Sequence, residues 1–417
     1  MTALSLWATI PPRSPMNILR KAYCRIFQTV FRIAIPILPY YNPKIIDSLE
    51  NVPEVLKEKK ITSVLIITDK GIRTLGLLEG LEKALAKADI AYAIYDKTVP
   101  NPTTENVEEA LKLYYETGSQ ALIGFGGGSS MDAAKGTGAR VANPKKPLKK
   151  MRGILKVRHK LPLLLAVPTT AGTGSETTLA AVIVDSATRH KYVINDFPLI
   201  PKYAVLDPAV TLSLPPSITA STGLDALTHA VEAFIGRSTT KETRAQALEA
   251  VELIFKNLRT AYYDGKNVEA RRNMLRASYL AGCAFTKSYV GYVHAVAHSL
   301  GGEYNVPHGL ANAVLLPFVL EEYGEVSYPK LKKLAIAAGV AQENDDEESA
   351  ARAFIEAIKE MKKDFSIPDV IKELKEEDIT KLSAYADSEG NPLYPVPVLM
   401  DAKELEKLYY KVLEVRK

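Results

Sequence analysis

In the first half of the chain, short hydrophobic runs alternate with stretches of helical periodicity. Each hydrophobic run has the length of a strand that is buried on both faces. The pattern predicts strands over residues 61–68, 91–95, 121–125, 161–167, 180–184 and 204–208. It predicts helices over residues 74–88 and 103–116. Strands that alternate with helices at this spacing indicate a parallel sheet covered by helices.

The pattern changes after Pro215 and Pro216, where helical periodicity takes over and continues to the C-terminus. The predicted helices cover residues 217–236, 240–262, 267–286, 290–302, 309–323, 328–339, 347–363 and 402–414. We therefore place a boundary near residue 213. The prediction is a Rossmann-like α/β domain over residues 46–212, an all-helical domain over residues 213–417, and an N-terminal extension over residues 1–45.

Within the extension, hydrophobic residues recur in pairs every four residues, as a stripe along one face of a helix requires. Asn17 is the predicted N-cap of this helix, and Pro36 and Pro39 are expected to end it. Arg25 and Arg32 interrupt the hydrophobic stretch, which argues against a membrane-spanning segment.

Three interpretations of this helix stay open: a transit peptide, a membrane-surface helix, and a helix that packs its stripe on the protein's own surface or on a second subunit. We favour the last, because the stripe is rich in aromatic residues and has no ending typical of a cleavage site. Residues 1–15 contain three prolines and form an irregular extension, and Met16 is an alternative start.

The positive charge of the chain is concentrated at its N-terminus. Residues 1–46 carry +6 and contain no acidic residue, so the total of +5 leaves −1 for residues 47–417. A nearly neutral body argues against nucleic acid as a partner. Two cysteines, Cys24 and Cys283, exclude a disulfide framework and a cysteine-based zinc site, and they favour a cytoplasmic, reducing location.

Two glycine-rich turns directly follow predicted strands. Residues 126–135 begin with three glycines and open an alanine-rich helix, so backbone amides and the helix N-terminus can approach a phosphate. Residues 168–176 are dense in hydroxyls and glycines, which suits a cofactor's phosphates or ribose, although a plain turn stays an alternative. Asp69 lies at the end of another predicted strand. A carboxylate there can accept hydrogen bonds from the ribose of an adenosine and would repel a 2′-phosphate. The alternative is that Asp69 lies in a surface turn.

Histidines and an aspartate recur at helical spacing in the second half of the chain. Asp225 and His229 are four residues apart on a hydrophobic predicted helix and therefore share one face. His294 and His298 repeat this spacing, and His308 follows at a turn. Polar side chains on hydrophobic helices need partners, and one carboxylate with several imidazoles suits Fe²⁺ or Zn²⁺ better than Ca²⁺ or Mg²⁺.

Taken together, these motifs resemble those of the iron-containing (group III) alcohol dehydrogenases, within the dehydroquinate synthase-like superfamily. The matching stretches are residues 126–135, 168–176, 223–232 and 294–309, with weaker matches at 100–103 and 391–400. The resemblance implies the fold of that superfamily. It also implies an NAD-dependent oxidoreductase that interconverts a small alcohol and its aldehyde or ketone by hydride transfer.

The resemblance further implies which residues form the site. The metal ligands fall on Asp225, His229, His294 and His308, which would hold Fe²⁺, with Zn²⁺ as the alternative. His298 corresponds to a histidine that relays protons near the substrate. The dinucleotide contacts fall on Asp69, Asn101, Gly127, Gly128, Ser129, Asp132, Thr169, Thr170, Thr173 and Lys191. Asp69 occupies the position that favours NAD over NADP.

The chain departs from the family's pattern near the metal-binding motif. Lys287, Tyr289 and Tyr292 stand before His294, where the family commonly has small residues, and they would narrow or polarise the substrate pocket. Other interpretations keep some weight: a zinc-dependent glycerol or polyol dehydrogenase, a dehydroquinate synthase-type lyase, or a membrane-surface binding protein. We expect a small alcohol or aldehyde as substrate, no membrane or nucleic-acid partner, and a homodimer or larger homo-oligomer.

Overall fold

The computed structural model describes residues 16–187 and 191–414, and these residues fall into two units. An α/β unit comprises residues 39–213, and a helical unit comprises residues 214–414 together with residues 16–38. The helix of the N-terminal extension is therefore part of the helical unit, although almost 180 residues separate the two parts in the sequence.

The strands belong to the α/β unit. In chain order they are β1 (Lys44–Ile46), β2 (Ser63–Ile67), β3 (Ala91–Tyr95), β4 (Ala121–Gly126), β5 (Gly153–Ile154), β6 (Leu163–Pro168), β7 (Ala180–Val184), β8 (Lys191–Asn195) and β9 (Tyr203–Val205). Six of these described strands form one parallel sheet in the order β1-β9-β6-β4-β2-β3. This confirms the predicted Rossmann-like α/β architecture.

The helices of the α/β unit are α2 (Val52–Glu58), α3 (Lys70–Thr74), α4 (Glu79–Lys87), α5 (Thr104–Glu116) and α6 (Gly128–Ala142). The helices of the helical unit are α1 (Ile18–Ala34), α7 (Pro216–Ile235), α8 (Lys241–Tyr263), α9 (Val268–Ser288), α10 (Tyr292–Tyr304), α11 (His308–Tyr323), α12 (Tyr328–Ala337), α13 (Glu347–Asp364), α14 (Ile379–Gly390) and α15 (Ala402–Val412).

The central strands of the main sheet are buried on both faces. Along β2, Leu65 and Ile67 belong to one hydrophobic core, whereas Val64 and Ile66 belong to the core on the opposite face. This division follows from the two-residue period of a strand. Because the strands are parallel, their carboxyl ends lie at the same edge, where the turns after β2, β4 and β6 follow.

The strand at residues 180–184 lies outside the main sheet, contrary to the prediction that it would extend the parallel sheet. It is β7, the edge of a three-stranded sheet in the order β5-β8-β7, and it runs antiparallel to β8. A hydrophobic run predicts a strand but does not specify its neighbour, which explains the error. The strands β1, β5 and β8 and the helices α2 and α14 were not predicted.

Helix α7 lies at the centre of the helical unit and packs against α8, α9 and α11. All of its residues from Gly223 to Ile235 are buried. A Cβ atom at Gly223 would lie 2.3 Å from Cδ1 of Leu258 on α8, so only glycine permits this close approach of the two helices. The helix therefore holds the side chains of Asp225 and His229 at fixed positions in the interior.

Helix α1 packs on the helical unit through its polar side chains. It begins at the predicted N-cap, since the side chain of Asn17 accepts a hydrogen bond from the backbone N–H of Arg20. The inward contacts are Arg20 with Asp387, Arg25 with the carbonyls of Val396 and Pro397, and Gln28 with the carbonyls of Pro392 and Tyr394. These hydrogen bonds orient α1, together with the buried Cys24 and the ring contact of Phe31 with Tyr289.

The hydrophobic stripe of α1 faces outward. Leu19 is 81% exposed and Ile26 is 64% exposed, and Ile18, Tyr23, Val30 and Ile33 are exposed as well. Among the described residues the stripe does not pack on the protein's own surface, and the other half of that interpretation, packing on a second subunit, stays a prediction. The opposite face is buried because the segment beneath it presents backbone carbonyls, which only hydrogen-bond donors can satisfy. Among the described helices, none is long and apolar enough to cross a bilayer.

Candidate functional site

Four side chains of the helical unit converge into one cluster that could bind a metal. Asp225 and His229 extend from α7, His294 from α10, and His308 from the first turn of α11. One ligand atom from each residue lies within 4.8 Å of all the others. The structure thus brings together the four residues that the sequence predicted as metal ligands.

The geometry and chemistry of this cluster suit a transition-metal ion. Nε2 of His308 lies 3.6 Å from Oδ1 of Asp225, and Nδ1 of His229 lies 4.0 Å from the same oxygen. The ring of His229 stacks on Phe285 at 4.2 Å between centroids, which fixes its plane. One carboxylate and three imidazoles match the ligands of Fe²⁺ or Zn²⁺, whereas Ca²⁺ and Mg²⁺ prefer oxygen ligands.

Glu232 orients His294 from the side opposite the cluster. Its Oε2 lies 2.6 Å from Nδ1 of His294, and its carboxylate also accepts the backbone N–H groups of Gly291 and Val293, each at 2.8 Å. Burial raises the pKa of Glu232 to about 8, although those N–H groups act in the opposite direction. A metal-binding histidine typically has such an acidic partner on its second nitrogen.

The environment of His294 also favours its neutral form. Burial lowers its pKa well below the usual value, and the neighbouring rings of His229, His308 and His298 lower it further. A neutral imidazole whose Nδ1 faces Glu232 presents the lone pair of Nε2 to the cluster. This is the state in which histidine binds a metal.

Asn312 lies one turn after His308 on α11, next to three of the four candidate ligands. Its Nδ2 is 2.7 Å from Oδ1 of Asp225, 3.2 Å from Nε2 of His294 and 3.1 Å from Nε2 of His308. The residue is fully buried, and its Oδ1 has no hydrogen-bond partner among the described residues. A single amide donor therefore faces a convergent set of acceptors, which is the electrostatic environment that a cation would stabilise.

His298 lies one turn after His294 on α10, beside the cluster. Its ring stacks on that of His308 with the centroids 5.1 Å apart, and it meets the ring of His294 edge-on at 5.8 Å. Nδ1 of His298 lies 2.5 Å from Oε1 of Glu389, and the hydroxyl of Tyr394 donates to the same oxygen at 2.6 Å. The predicted catalytic histidine is thus adjacent to the candidate metal ligands and bonded to a carboxylate.

Two of the three residues expected to shape the pocket have other partners. Tyr292 is fully buried, and its hydroxyl donates toward Asn391 and Met400, at 2.9 and 3.0 Å. Lys287 pairs with Glu242 at 2.9 Å. The polar ends of these two side chains are bound elsewhere in the helical unit, and the expectation that they narrow or polarise the pocket stays a prediction.

Tyr289 is different, because it is in contact with the segment that carries Tyr394. Its ring lies 6.5 Å from that of Tyr394 and 4.9 Å from that of Phe31 on α1. Its backbone has φ of 61° and ψ of −178°, a conformation that glycine adopts far more readily than other residues. The aromatic contacts on both sides hold the residue in this conformation.

In the α/β unit, the first glycine-rich turn leads from β4 into α6. A Cβ atom at Gly126, whose φ is 146°, would lie 2.6 Å from Oγ of Ser130, so glycine is required there. Gly127 is the N-cap of α6, and a Cβ atom added to it would have nothing within 4 Å. This combination leaves the N-terminus of a 15-residue helix accessible to an anionic group.

Several predicted cofactor-binding residues surround this turn. Asp69 follows β2 and caps α3 by accepting the N–H of Ile72, and its other oxygen accepts from the hydroxyl of Ser130 at 3.3 Å. The backbone N–H of Asn101 donates to Oγ of Ser129 at 3.2 Å, and its side-chain oxygen accepts from Lys191 at 2.7 Å. The structure therefore brings the strand ends at Asp69 and Asn101 to the same turn.

The second turn, after β6, packs against the first one. The backbone N–H of Thr169 donates to the carbonyl of Gly126 at 3.0 Å. The side chain of Thr173 is the nearest group, at 3.6 Å, to a Cβ atom built on Gly128. Thr170, the remaining predicted residue of this turn, is partly exposed beside the buried Thr169. Glycines and hydroxyls from both turns thus lie together, as the sequence predicted.

Asp132 points into the α/β unit instead. One of its oxygens accepts from the hydroxyl of Ser175 at 3.0 Å, and the other accepts the backbone N–H of Val182 at 3.1 Å. The carboxylate of Asp132 ties α6 to the second turn and to β7 in this structure, and its predicted contact with the cofactor stays a prediction.

A buried polar cluster next to these turns was not predicted. Nζ of Lys135 is fully buried and donates to Ser175, Thr178 and the carbonyl of Ala180. Glu176 is also buried, and neither of its carboxylate oxygens has a partner among the other described residues. Burial lowers the pKa of Lys135 to about 8 and raises the pKa of Glu176 to about 7.

Some of the missed residues carried a sequence signal, and others did not. Glu232 lies seven residues after Asp225, and Asn312 lies four residues after His308, so helical spacing places both on the faces that carry ligands. Glu389 contacts His298 across 91 residues of sequence. No local pattern encodes a contact of that separation.

Comparisons with known proteins match nearly the whole chain. The model of the family "Iron-containing alcohol dehydrogenase" matches residues 45–208, and the model "Fe-containing alcohol dehydrogenase family, C-terminal" matches residues 219–413. The chain is 40% identical to "Alcohol dehydrogenase 4" of Saccharomyces cerevisiae, over 81% of this chain and 88% of the relative. It is 35% identical to "NAD-dependent methanol dehydrogenase" of Bacillus methanolicus, over 81% of this chain and 90% of the relative.

A similar solved structure is that of a 1,3-propanediol oxidoreductase. The two chains are 34% identical and superpose with a TM-score of 0.85, over 90% of this chain and 98% of that one. Since the matched lengths extend over both units, the similarity is one of whole chains rather than of a single domain.

Proposed function

Because the chain belongs to the iron-containing alcohol dehydrogenase family, and is therefore an oxidoreductase, we propose that it uses NAD and a divalent metal to interconvert a small alcohol and its aldehyde or ketone. The observation that carries this proposal is the convergence of Asp225, His229, His294 and His308 within 4.8 Å. A buried set of acceptors without a cation is costly, and one amide donor from Asn312 satisfies it only in part.

We assign Fe²⁺ to this cluster, with Zn²⁺ as the alternative, because the ligand types suit both ions. A divalent cation bound there would act as a Lewis acid on the oxygen of the alcohol or the carbonyl. His294, oriented by Glu232, contributes Nε2 as a ligand atom. His298 accepts the hydroxyl proton at Nε2 during oxidation and returns it during reduction, directly or through a water molecule.

We assign the dinucleotide to the two turns of the α/β unit. The N-terminus of α6 at Gly127 and Gly128 is suited to the pyrophosphate, and the hydroxyls of the second turn supply further hydrogen bonds. Asp69 is placed to accept hydrogen bonds from the adenosine ribose, and its charge would repel a 2′-phosphate. We therefore expect NADH to be used much better than NADPH, and an Asp69→Ala variant to narrow that difference.

The experiment is an anaerobic assay of the full chain, stripped of metal and reloaded with Fe²⁺ or Zn²⁺. NADH consumption is followed with C2–C5 aldehydes and hydroxyaldehydes, beside a His294→Ala control. We expect NADH oxidation that depends on the metal and is lost in the control. Metal bound at one ion per chain with no turnover of any carbonyl would contradict the proposed reaction. The absence of metal binding would contradict the four-ligand assignment.

The predicted cytoplasmic location and the predicted homodimer or larger homo-oligomer stay predictions. Light scattering coupled to gel filtration measures the mass of the assembly in solution. Fractionation of cells that produce the chain tests its location.

A further inference from the structure

We propose that Glu389 is a positioning residue: its carboxylate, held by Tyr394, fixes His298 in the tautomer that carries its proton on Nδ1. This inference rests on the proposed function, because it deepens the role of His298 there. A neutral ring protonated on Nδ1 retains Nε2 as its proton acceptor. Glu389 would thus determine which nitrogen of His298 handles the substrate's proton.

The short contacts around Glu389 carry this inference. An ionised carboxylate can only accept hydrogen bonds, so Nδ1 of His298 at 2.5 Å and the hydroxyl of Tyr394 at 2.6 Å must both be donors to Oε1. Tyr394 is buried, and burial together with the nearby charge of Glu389 raises its pKa well above the usual value. It therefore stays a neutral hydroxyl that can donate.

The hydrogen bond to Glu389 adds a directional restraint to the ring contacts that His298 makes with His308 and His294. Its side chain is 42% exposed, in contrast to His294, which is 2% exposed. The ring contacts His308 through one stacked face, at an angle of 18° between the ring planes. A stacked ring can turn over and exchange its two nitrogens without losing that contact, whereas the hydrogen bond to Glu389 permits only one orientation.

The segment that carries Glu389 and Tyr394 is itself held from the other side. Asn391 donates to Asp387 and to the carbonyl of Met400, both at 2.8 Å. Gln28 of α1 donates to the backbone carbonyl of Tyr394, also at 2.8 Å. The carboxylate is therefore attached to a fixed segment, as a group that positions another must be.

The first test reads the tautomer of His298 directly. The chain contains only six histidines, so a long-range nitrogen–proton spectrum of ¹⁵N-histidine-labelled, Zn²⁺-loaded protein resolves few signals. His298→Ala assigns the signal of interest. We expect the proton on Nδ1 in the wild type and a shift toward Nε2 in Glu389→Leu, which has no acceptor for that proton. A wild-type ring protonated on Nε2, or an unchanged tautomer in Glu389→Leu, would overturn the inference.

The second test asks whether Glu389 acts through His298. We expect Glu389→Leu, which removes the acceptor, to lower kcat roughly 10- to 100-fold with little change in KM, and Glu389→Asp to recover part of the loss. In a His298→Ala background the same substitution should have no further effect. If the fold-losses in kcat of the two single variants multiply in the double variant, the two residues act independently and the proposal is contradicted.

Tyr394→Phe provides a milder variant in case Glu389→Leu unfolds. It should lower kcat several-fold and leave the carboxylate in place. Tyr304→Phe is the matched control, because Tyr304 donates to Asp378 in a similar tyrosine–carboxylate pair at 2.5 Å. Equal losses in both tyrosine variants would count against a specific role. If the wild type consumes no NADH, the proposed function fails, while the tautomer measurement still decides the role of Glu389.

Discussion

The side-chain nitrogen of Asn312 lies 2.7 Å from Oδ1 of Asp225, among the atoms that converge on the candidate metal site. This amide donor faces acceptors from three ligand residues. It offsets the repulsion between their lone pairs and holds the carboxylate oxygen of Asp225 in one direction. Asn312 therefore helps to form the site although it is not one of the predicted ligands.

We expect Asn312→Ala to weaken Zn²⁺ binding roughly 10- to 100-fold, because the orientation of Asp225 would be lost. Competition with a chromogenic chelator measures the affinity. Asn273→Ala is the matched control, since the side chain of Asn273 donates to that of Asn257 at 3.0 Å. Equal affinities of Asn312→Ala and the wild type would show that the amide has no role in metal binding.

Glu232→Gln should weaken metal binding to a similar extent. The amide of glutamine cannot accept hydrogen bonds on both of its ends, so one of the groups now bound by Glu232 would lose its partner. Metal content after dialysis and thermal unfolding measure the two consequences. Glu242→Gln, at a half-exposed carboxylate that pairs with the buried Lys287, should leave metal content unchanged. A metal content in Glu232→Gln that equals the wild-type value would refute this expectation.

Glu176→Gln should change how the stability of the cofactor-free protein depends on pH. Burial raises the pKa of Glu176 to about 7 in the folded state, from 4.5 in the unfolded chain. Between these values the folded protein retains a proton that the unfolded chain has released. The wild type therefore loses stability relative to the variant as pH rises from 4.5 to 7, by a total on the order of 3 kcal/mol.

Thermal unfolding of both proteins at pH 5 and pH 8 measures this effect. The quantity of interest is the melting temperature of Glu176→Gln minus that of the wild type. We expect this difference to be several degrees larger at pH 8 than at pH 5. A difference that is the same at both pH values would mean that Glu176 does not titrate abnormally in the folded protein.

Helix α1 should respond to substitution in the opposite way from an ordinary amphipathic helix. Gln28→Ala is expected to cost about 1–3 kcal/mol, because the buried carbonyls of Pro392 and Tyr394 would lose their donor. Ile26→Ala removes an exposed side chain and should change stability by less than about 0.5 kcal/mol. Denaturant unfolding of the two variants gives both values. A larger loss in Ile26→Ala than in Gln28→Ala would show that the stripe is covered in solution.

Much of the architecture could be predicted because it is encoded locally. Hydrophobic runs at 121–125 and 161–167 correspond to β4 and β6, and helical spacing placed Asp225 and His229 on one face of α7. Such patterns depend on neighbours within four residues. Half of the metal cluster was predictable for the same reason, since Asp225 and His229 are four residues apart on α7. His294 and His308 lie on different helices, and the resemblance to the family assigned them as ligands.

The features that were missed depend on distant contacts. The strand at 180–184 was predicted, but its sheet was not, because pairing with β8 is decided by the fold around both strands. The amphipathic pattern predicted α1, yet it could not show that the carbonyls at 392–397 would select the polar face. Glu389 has no detectable signal, since its partner His298 is 91 residues away.

The smallest fragment that preserves the site is larger than the stretches that the family models match. Those stretches are residues 45–208 and 219–413, and they exclude α1. Deleting α1 would remove the donors from several backbone carbonyls and leave the buried carboxylate of Asp387 without its arginine. The loosened segment includes Tyr394. Fragment boundaries taken from the family models alone would therefore remove a helix that supports the segment of Tyr394, and with it the position of His298.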